Sequence, residues 1–307
     1  MTVNQIRYLR RDQVDVVKWD NCIDQARNGL IYAYSYYLDS MARNWDALVM
    51  EDYEAVMPLT WNKKYGISYL YQPPFTPSLG IFGSNVNEEL VAQFLKAIPS
   101  RFKLIEISLN SGNTFSGSST YEVLHTNYIL DLSGTYESLN NNYRENIRRN
   151  LKKSQQLGVT YDTDTPISEI IGLSREQMRG VWRIEPEDYI HFEELYLLLK
   201  KRNQAISCGV YLSGQLIASA VYFFSQRKAY YILVGNHPNG KTIGASHYLV
   251  DQFIQDYAGN NLILDFEGSD IKSLAFFYSS FGAKAESYPV IRLDKLPWWI
   301  KLIRRKM

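Results

Sequence analysis

The sequence predicts an α/β (α+β) chain of two tandem units, each a mixed, mostly antiparallel sheet flanked by helices. Two observations carry the prediction. The order of apolar runs, turns and helical stripes in the first half recurs in the second. The length of 307 residues suits two domains, and 46% apolar against 21% charged residues is a globular balance that excludes a disordered chain.

In the first half, residues 47–57, ALVMEDYEAVM, read as a hairpin with an acidic turn between two apolar strands. After the turn NKKYG comes a third strand, ISYLYQ, closed by Pro73 and Pro74. A glycine-bearing loop, LGIFG, leads to a helix at about 87–98 and then to a buried strand, LIEISL. The second half repeats this order. GVYL, the turn SGQ, LIASAVYFF, the turn SQRK and AYYILVG are followed by the loop NGKTIG, a helix at 244–258 and the strand LILDFE. Each half closes on a further strand, YILDL at 128–132 and PVIRL at 289–293. Identity between the halves is low, so the shared order points to an old duplication of one unit. The boundary falls at 130–135, giving domains 1–132 and 133–307, with the last residues packing back on the first.

A helix opening the second half is expected from Thr135, an N-cap with Glu137 in its first turn, to Gly158. Leu139, Tyr143, Ile147 and Leu151 form its apolar stripe at i+4 spacing. A further helical region, 168–203, breaks at Glu185-Pro186-Glu187. Many of the 24 tyrosines sit in alternating runs such as ISYLYQ and VYFF, where an aromatic ring packs on a pleated surface.

Composition also narrows function. A net charge of +1 argues against a nucleic-acid-binding surface over the whole molecule, so DNA is not an expected partner. The start MTVNQIRYLRRDQ has no apolar signal region, and no apolar run approaches the roughly 20 residues of a membrane span. Cys22 and Cys208 suggest no disulfide framework, and His125, His191, His237 and His247 lack ligand spacing, so no metal is expected. The expectation is a cytoplasmic protein. Its tail PWWIKLIRRKM pairs two tryptophans with basic residues; it docks on the first domain or touches the inner face of the membrane peripherally.

Three segments carry a family resemblance. YRENIRRNLKKSQQLGV (143–159) resembles the basic helix that opens the second Fem-type domain, and LDFEGSD (264–270) resembles that group's Asp-Phe-x-Gly strand end. FFYSSFGA (276–283) resembles both that group's Phe-Lys-x-x-Phe-Gly segment and the Tyr-x-x-x-Gly-Phe segment of the Gcn5-related N-acetyltransferase (GNAT) fold. Together with the tandem order, they resemble its FemA/FemB/FemX branch, the peptidoglycan-bridge aminoacyltransferases. The resemblance implies an acyl-CoA-like donor whose pyrophosphate lies on an Arg/Gln-x-x-Gly-x-Gly/Ala loop at a helix N-terminus. Lys241-Thr-Ile-Gly244-Ala245-Ser246 is the nearest match, with Gly240 before it and the strand end Val234–Asn236 beside the donor. The plainer account of these glycines is a tight turn and a helix start.

By the same resemblance Tyr278, four residues before Gly282, is the acid that protonates the leaving thiolate; Fem-type chains have a lysine near there. Asp265 and Glu267 alternate with Leu264 and Phe266, so both acids are expected on one side of a strand, Asp265 as base or orienter. Arg144, Arg148 and Lys152 stand one turn apart and form a cationic stripe for an anionic substrate, unless they are simply a solvated face. The first half lacks the loop and the tyrosine and is expected to be a degenerate copy shaping an acceptor cleft with Lys63, Lys64 and the QPPF turn at 72–75.

The expected function is therefore acyl transfer from an acyl-CoA-like donor to an amine of an amino sugar, peptide or cell-envelope precursor. An aminoacyl-tRNA donor is the alternative within the class. A binding module without catalysis, its sites decayed and no cofactor bound, is the alternative outside it.

Overall fold

The computed structural model describes residues 5–114, 122–179, 184–268 and 270–296. The tail PWWIKLIRRKM at 297–307 and the side chain of Lys241 lie outside the described parts. The first stretch of chain forms β1 (Ile6–Arg10), α1 (Val16–Gln25), α2 (Ser35–Met41), β2 (Trp45–Met50), β3 (Ala55–Lys64), β4 (Ile67–Leu70), β5 (Phe82–Gly83), α3 (Glu88–Ala97) and β6 (Phe102–Ser108). Then come β7 (Glu122–Asp131), α4 (Tyr136–Asn141), α5 (Glu145–Gln156), β8 (Thr160–Asp162), α6 (Ile167–Met178), α7 (Pro186–Lys201), β9 (Ala205–Leu212), β10 (Gln215–Ser225) and β11 (Lys228–Asn236). The chain continues with α8 (Pro238–Ile243), α9 (Ala245–Tyr257), β12 (Ile263–Asp265), α10 (Lys272–Ser279) and β13 (Lys284–Asp294). Among the described residues no helix is long and apolar enough to cross a membrane.

Two compact units result, one running to His125 and resuming at Ser287, the other Thr126–Glu286. The first has strand order β1-β2-β3-β4-β6-β13, with β5 on β3; the second has β7-β12-β11-β10-β9-β8. In each, an antiparallel meander meets one parallel pair, β4–β6 in the first and β11–β12 in the second. The duplicated order therefore corresponds to a duplicated topology. The closing strands are allotted differently from the sequence reading. YILDL pairs with β12 of the second unit and PVIRL with β6 of the first, so each strand completes the other copy's sheet.

Burial explains the apolar runs. Along β10, Tyr222 stacks on Phe253 of α9 with centroids 3.8 Å apart, and Phe223 stacks on Phe192 of α7 at 5.4 Å. A strand covered on both faces has no solvent side, so LIASAVYFF reads as continuous rather than alternating. In the first unit Leu90, Val91 and Phe94 of α3 face Met57, Ile105 and Ile107 of the sheet. The Asn87 side chain accepts from Leu90 N–H at 2.9 Å and starts that helix.

The helix expected from Thr135 to Gly158 is two helices. Thr135 caps α4 as expected, its hydroxyl accepting from Ser138 N–H. At Arg144 the backbone is extended (φ −69°, ψ 157°), and its N–H donates to Ser280 O at 2.9 Å instead of continuing the helix. The stripe of Leu139, Tyr143, Ile147 and Leu151 is nevertheless buried throughout.

The segment expected as a glycine loop is helical, since Pro238 is preset for a first turn and His237 Nδ1 accepts from Asn239 N–H at 3.2 Å. Gly244 ends α8 and starts α9 at φ +75°, and a Cβ there would lie 2.8 Å from Asn150 Cβ and 2.9 Å from Asn150 O of α5. Gly244→Ala is therefore expected to destabilise the chain by about 1–3 kcal/mol, read as a lower urea midpoint.

Candidate active site

The second unit has a gap in its sheet. β11 and β12 pair in parallel over Lys228–Ile263, Ala229–Leu264 and Tyr230–Asp265 only, after which β12 ends and β11 continues to Asn236. Beyond Tyr230, β11 bulges. Tyr231 pairs with Tyr222 of β10 but Leu233 with Val221, leaving Ile232 as the extra residue. A bulge bends its strand and increases its twist, and this one falls just past the last β11–β12 pair.

The register then fixes where the backbone points. His237 N–H donates to Ile217 O of β10, while Asn236 lies opposite Ala218 and Val234 opposite Ala220. Antiparallel alternation turns the backbone groups of Asn236 and Val234 away from β10, toward the side β12 has vacated. Among the described residues no strand pairs with that side of β11 at Val234 and Asn236, the two residues predicted to flank the donor.

Helices frame this edge. Gly235 lets α6 lie close against the strand, since a Cβ there would meet Ser174 N at 2.9 Å and Leu173 Cβ at 3.0 Å. Gln177, near the end of α6, accepts from Asn236 N–H through Oε1 at 2.5 Å. Ser246, in the first turn of α9, donates its hydroxyl to Asn236 Oδ1 at 2.5 Å and ties the helix start to the strand end. Ala245 is fully buried in the core, and Gly240 sits in α8 against Ile217 O of β10.

At the end of β12 the Asp265 carboxylate is committed. Oδ1 accepts from Asn127 Nδ2 at 2.9 Å and from Glu267 N–H at 3.0 Å, and Oδ2 lies 3.5 Å from Lys228 Nζ. The strand ends there, and Glu267 takes φ +66° in the left-handed region, so the alternation expected to place both acids on one side does not extend to it. Tyr278 of α10 is buried, with its ring stacked on Phe266 at 4.6 Å. Burial pushes its phenol well above the ordinary value and the nearby Glu267 carboxylate adds to the rise, so the hydroxyl keeps its proton at neutral pH.

The cations predicted as a stripe diverge. Arg144 lies over the Phe276 ring at 5.1 Å, and Arg148 donates to Asn140 O and Asn141 O at 3.3 and 3.2 Å, covering the carbonyl end of α4. Lys152 is exposed. Gln177 and His247 are neighbours of the site that sequence reasoning missed. Gln177 lies 59 positions before Asn236, a separation no local pattern reports. His247 follows Ser246 and meets Phe277 edge-on at 4.9 Å.

Residues 141–270 match the family profile described as the acetyltransferase (GNAT) domain. The chain has a tandem GNAT fold. Its second unit carries the GNAT-type N-acyltransferase domain. Among solved structures, FemX superposes with a TM-score of 0.62 at 12% identity, covering 93% of this chain and 97% of that one. A tandem GNAT protein from the clavulanic acid biosynthesis pathway gives 0.57 at 9% identity, over 95% and 99%. The C-terminal domain of a protein assigned as a lysylphosphatidylglycerol synthetase of Agrobacterium fabrum gives 0.54 at 13%, over 95% of each. No curated protein matches the sequence. In this tandem GNAT chain the Fem-like likeness is one of fold.

His247 supplies a test of the packing around the gap. Burial lowers its pKa from 6.5 to about 4. A depressed pKa contributes stability that is present above pH 6.5 and is lost as pH falls toward 4. His247→Gln removes that loss. Between pH 7 and pH 4 the parent protein should therefore lose about 2–3 kcal/mol more than the variant in urea unfolding, allowing for partial exposure of the ring.

Proposed function

We propose that the second unit transfers an acyl group from an acyl-CoA-like donor to an amine of an amino sugar, peptide or cell-envelope precursor. The observation that carries this reading is the parting of β11 from β12, which leaves Val234 and Asn236 with backbone groups facing a gap beside the start of α9. An extended arm bearing amides is complementary to such an edge, because it adds as a strand. The backbone amides at the start of α9, where Ser246 is fixed by Asn236, suit the phosphates of that donor. An envelope precursor as acceptor is supported by the names of two structural neighbours, FemX and the lysylphosphatidylglycerol synthetase domain.

The chemistry divides among the chain's own groups. The acceptor nitrogen attacks the thioester carbonyl carbon and loses a proton to a base, for which Glu267 is the candidate. As the carbon–sulfur bond breaks, the protonated Tyr278 hydroxyl delivers its proton to the departing sulfur. Asp265 serves as orienter, since its hydrogen bonds hold the turn that presents Glu267. Arg144 and Lys152 offer positive charge to the phosphates or an anionic acceptor. Lys241 is placed here by its position in sequence alone.

Calorimetry with acetyl-CoA and longer acyl-CoAs tests the reading. Binding in the micromolar to millimolar range is expected, and a flat titration at millimolar donor would sink it. Tyr278→Phe should lower kcat by about 10²-fold while donor Kd stays within about twofold. An unchanged kcat would remove Tyr278 from the reaction.

The surface of α5 favours one alternative donor. Arg149, Lys152 and Lys153 are exposed there, and a charged tRNA would use them. Binding of total tRNA that weakens steeply from 50 to 200 mM salt would select the aminoacyl-tRNA version.

A further inference from the structure

We propose that the side chain of Gln177 is a displaceable plug on the free edge of β11, holding the hydrogen-bond position that an incoming amide-bearing donor must take. The inference rests on the donor reading above and adds a competitor built into the chain. Asn236 N–H points away from β10 into the gap, and its acceptor is Gln177 Oε1 at 2.5 Å. A glutamine amide presents the same carbonyl that an amide within an extended donor arm would present, so the two compete for one N–H. Backbone donors seek a partner whether or not a ligand is bound, and Gln177 supplies it in the free protein.

Two features mark the plug as displaceable. Gln177 is exposed, and its Nε2 has no partner among the described residues, so one hydrogen bond holds the amide. A hydrogen bond open to water contributes little net free energy. The first unit shows the contrasting case. There Gln72 Oε1 accepts from Ser108 N–H of β6 at 3.1 Å while its Nε2 donates to Thr76 O at 2.5 Å, so both ends of that amide are anchored. The Gln72 amide is held at both ends and the Gln177 amide at one, so Gln177 is the one that yields when a better partner arrives.

The test is calorimetry of coenzyme A and of pantetheine, which lacks the phosphates and isolates the edge contact, with the full chain and its Gln177→Ala and Gln177→Glu variants. In Gln177→Ala the Kd for both ligands should fall about two- to tenfold, the fold-change set by one exposed hydrogen bond. In Gln177→Glu, which keeps an acceptor, the pantetheine Kd should remain within about twofold of the parent. Equal or weaker binding by Gln177→Ala overturns the plug while the donor site stands, as does a Gln177→Glu variant that binds pantetheine as tightly as Gln177→Ala. If neither ligand binds the parent or the variants, the donor reading and the plug fall together. Unchanged thermal midpoints in both variants, expected for an exposed position, confirm that the comparison is made on folded protein.

Discussion

Everything distinctive about the second unit depends on a parallel pairing that stops after Tyr230 and Asp265. Had β12 run on, it would have filled the edge of β11 and left an ordinary closed sheet. Asp265 fixes where the pairing stops. One carboxylate gathers Asn127 from β7, Lys228 from β11 and the N–H of Glu267, tying three segments at one point. Loss of that carboxylate would leave Lys228, only 21% exposed, without its counter-charge. An acid chosen from sequence as a chemical participant is therefore also the fastening of the gap.

Past that point the edge is shaped by packing. Tyr222 and Phe223 clamp α9 and α7 onto opposite faces of β10, so α9 is held against the sheet by buried aromatic area around Phe253. The bulge at Ile232 then bends β11 while its partner β10 stays paired. The link between Ser246 and Asn236 joins the two results, a helix start and a strand end facing one space. Rigid elements rather than loops hold the geometry.

Much of this was legible in the sequence because it follows from local periodicity. The repeated meander, the helix at 244–258 and the buried stripe of Leu139, Tyr143, Ile147 and Leu151 all rest on patterns of 2.0 or 3.6 residues. What was hidden depends on partners far away in the chain. The break between α4 and α5 exists because Arg144 N–H finds Ser280 O, and no pattern near Arg144 announces it. The exchange of closing strands is equally silent, since the short segments YILDL of β7 and PVIRL of β13 carry no pattern that ties them to one sheet. Gly244 was legible as part of a donor loop or as a helix start, but nothing in the sequence tells that Asn150 of α5 stands against it and leaves no room for a Cβ. Gln177 carries no motif, and only the folded register reveals what its amide faces.

The two copies differ in how each satisfies the backbone at its parallel pair. In the first unit Pro73 and Pro74, shortly after β4, lack N–H donors, and Gln72 is anchored at both ends of its amide. In the second unit β11 runs past the pairing with its donors intact, covered by one exposed side chain. A duplicated sheet needs only one open edge to carry a ligand, and an unused open edge is a liability for unwanted strand pairing. Closing the first copy's edge removes that liability there. The second can keep its edge because Gln177 satisfies the exposed donor until a ligand replaces it, so the same hydrogen bond protects the free protein and sets what a donor must overcome.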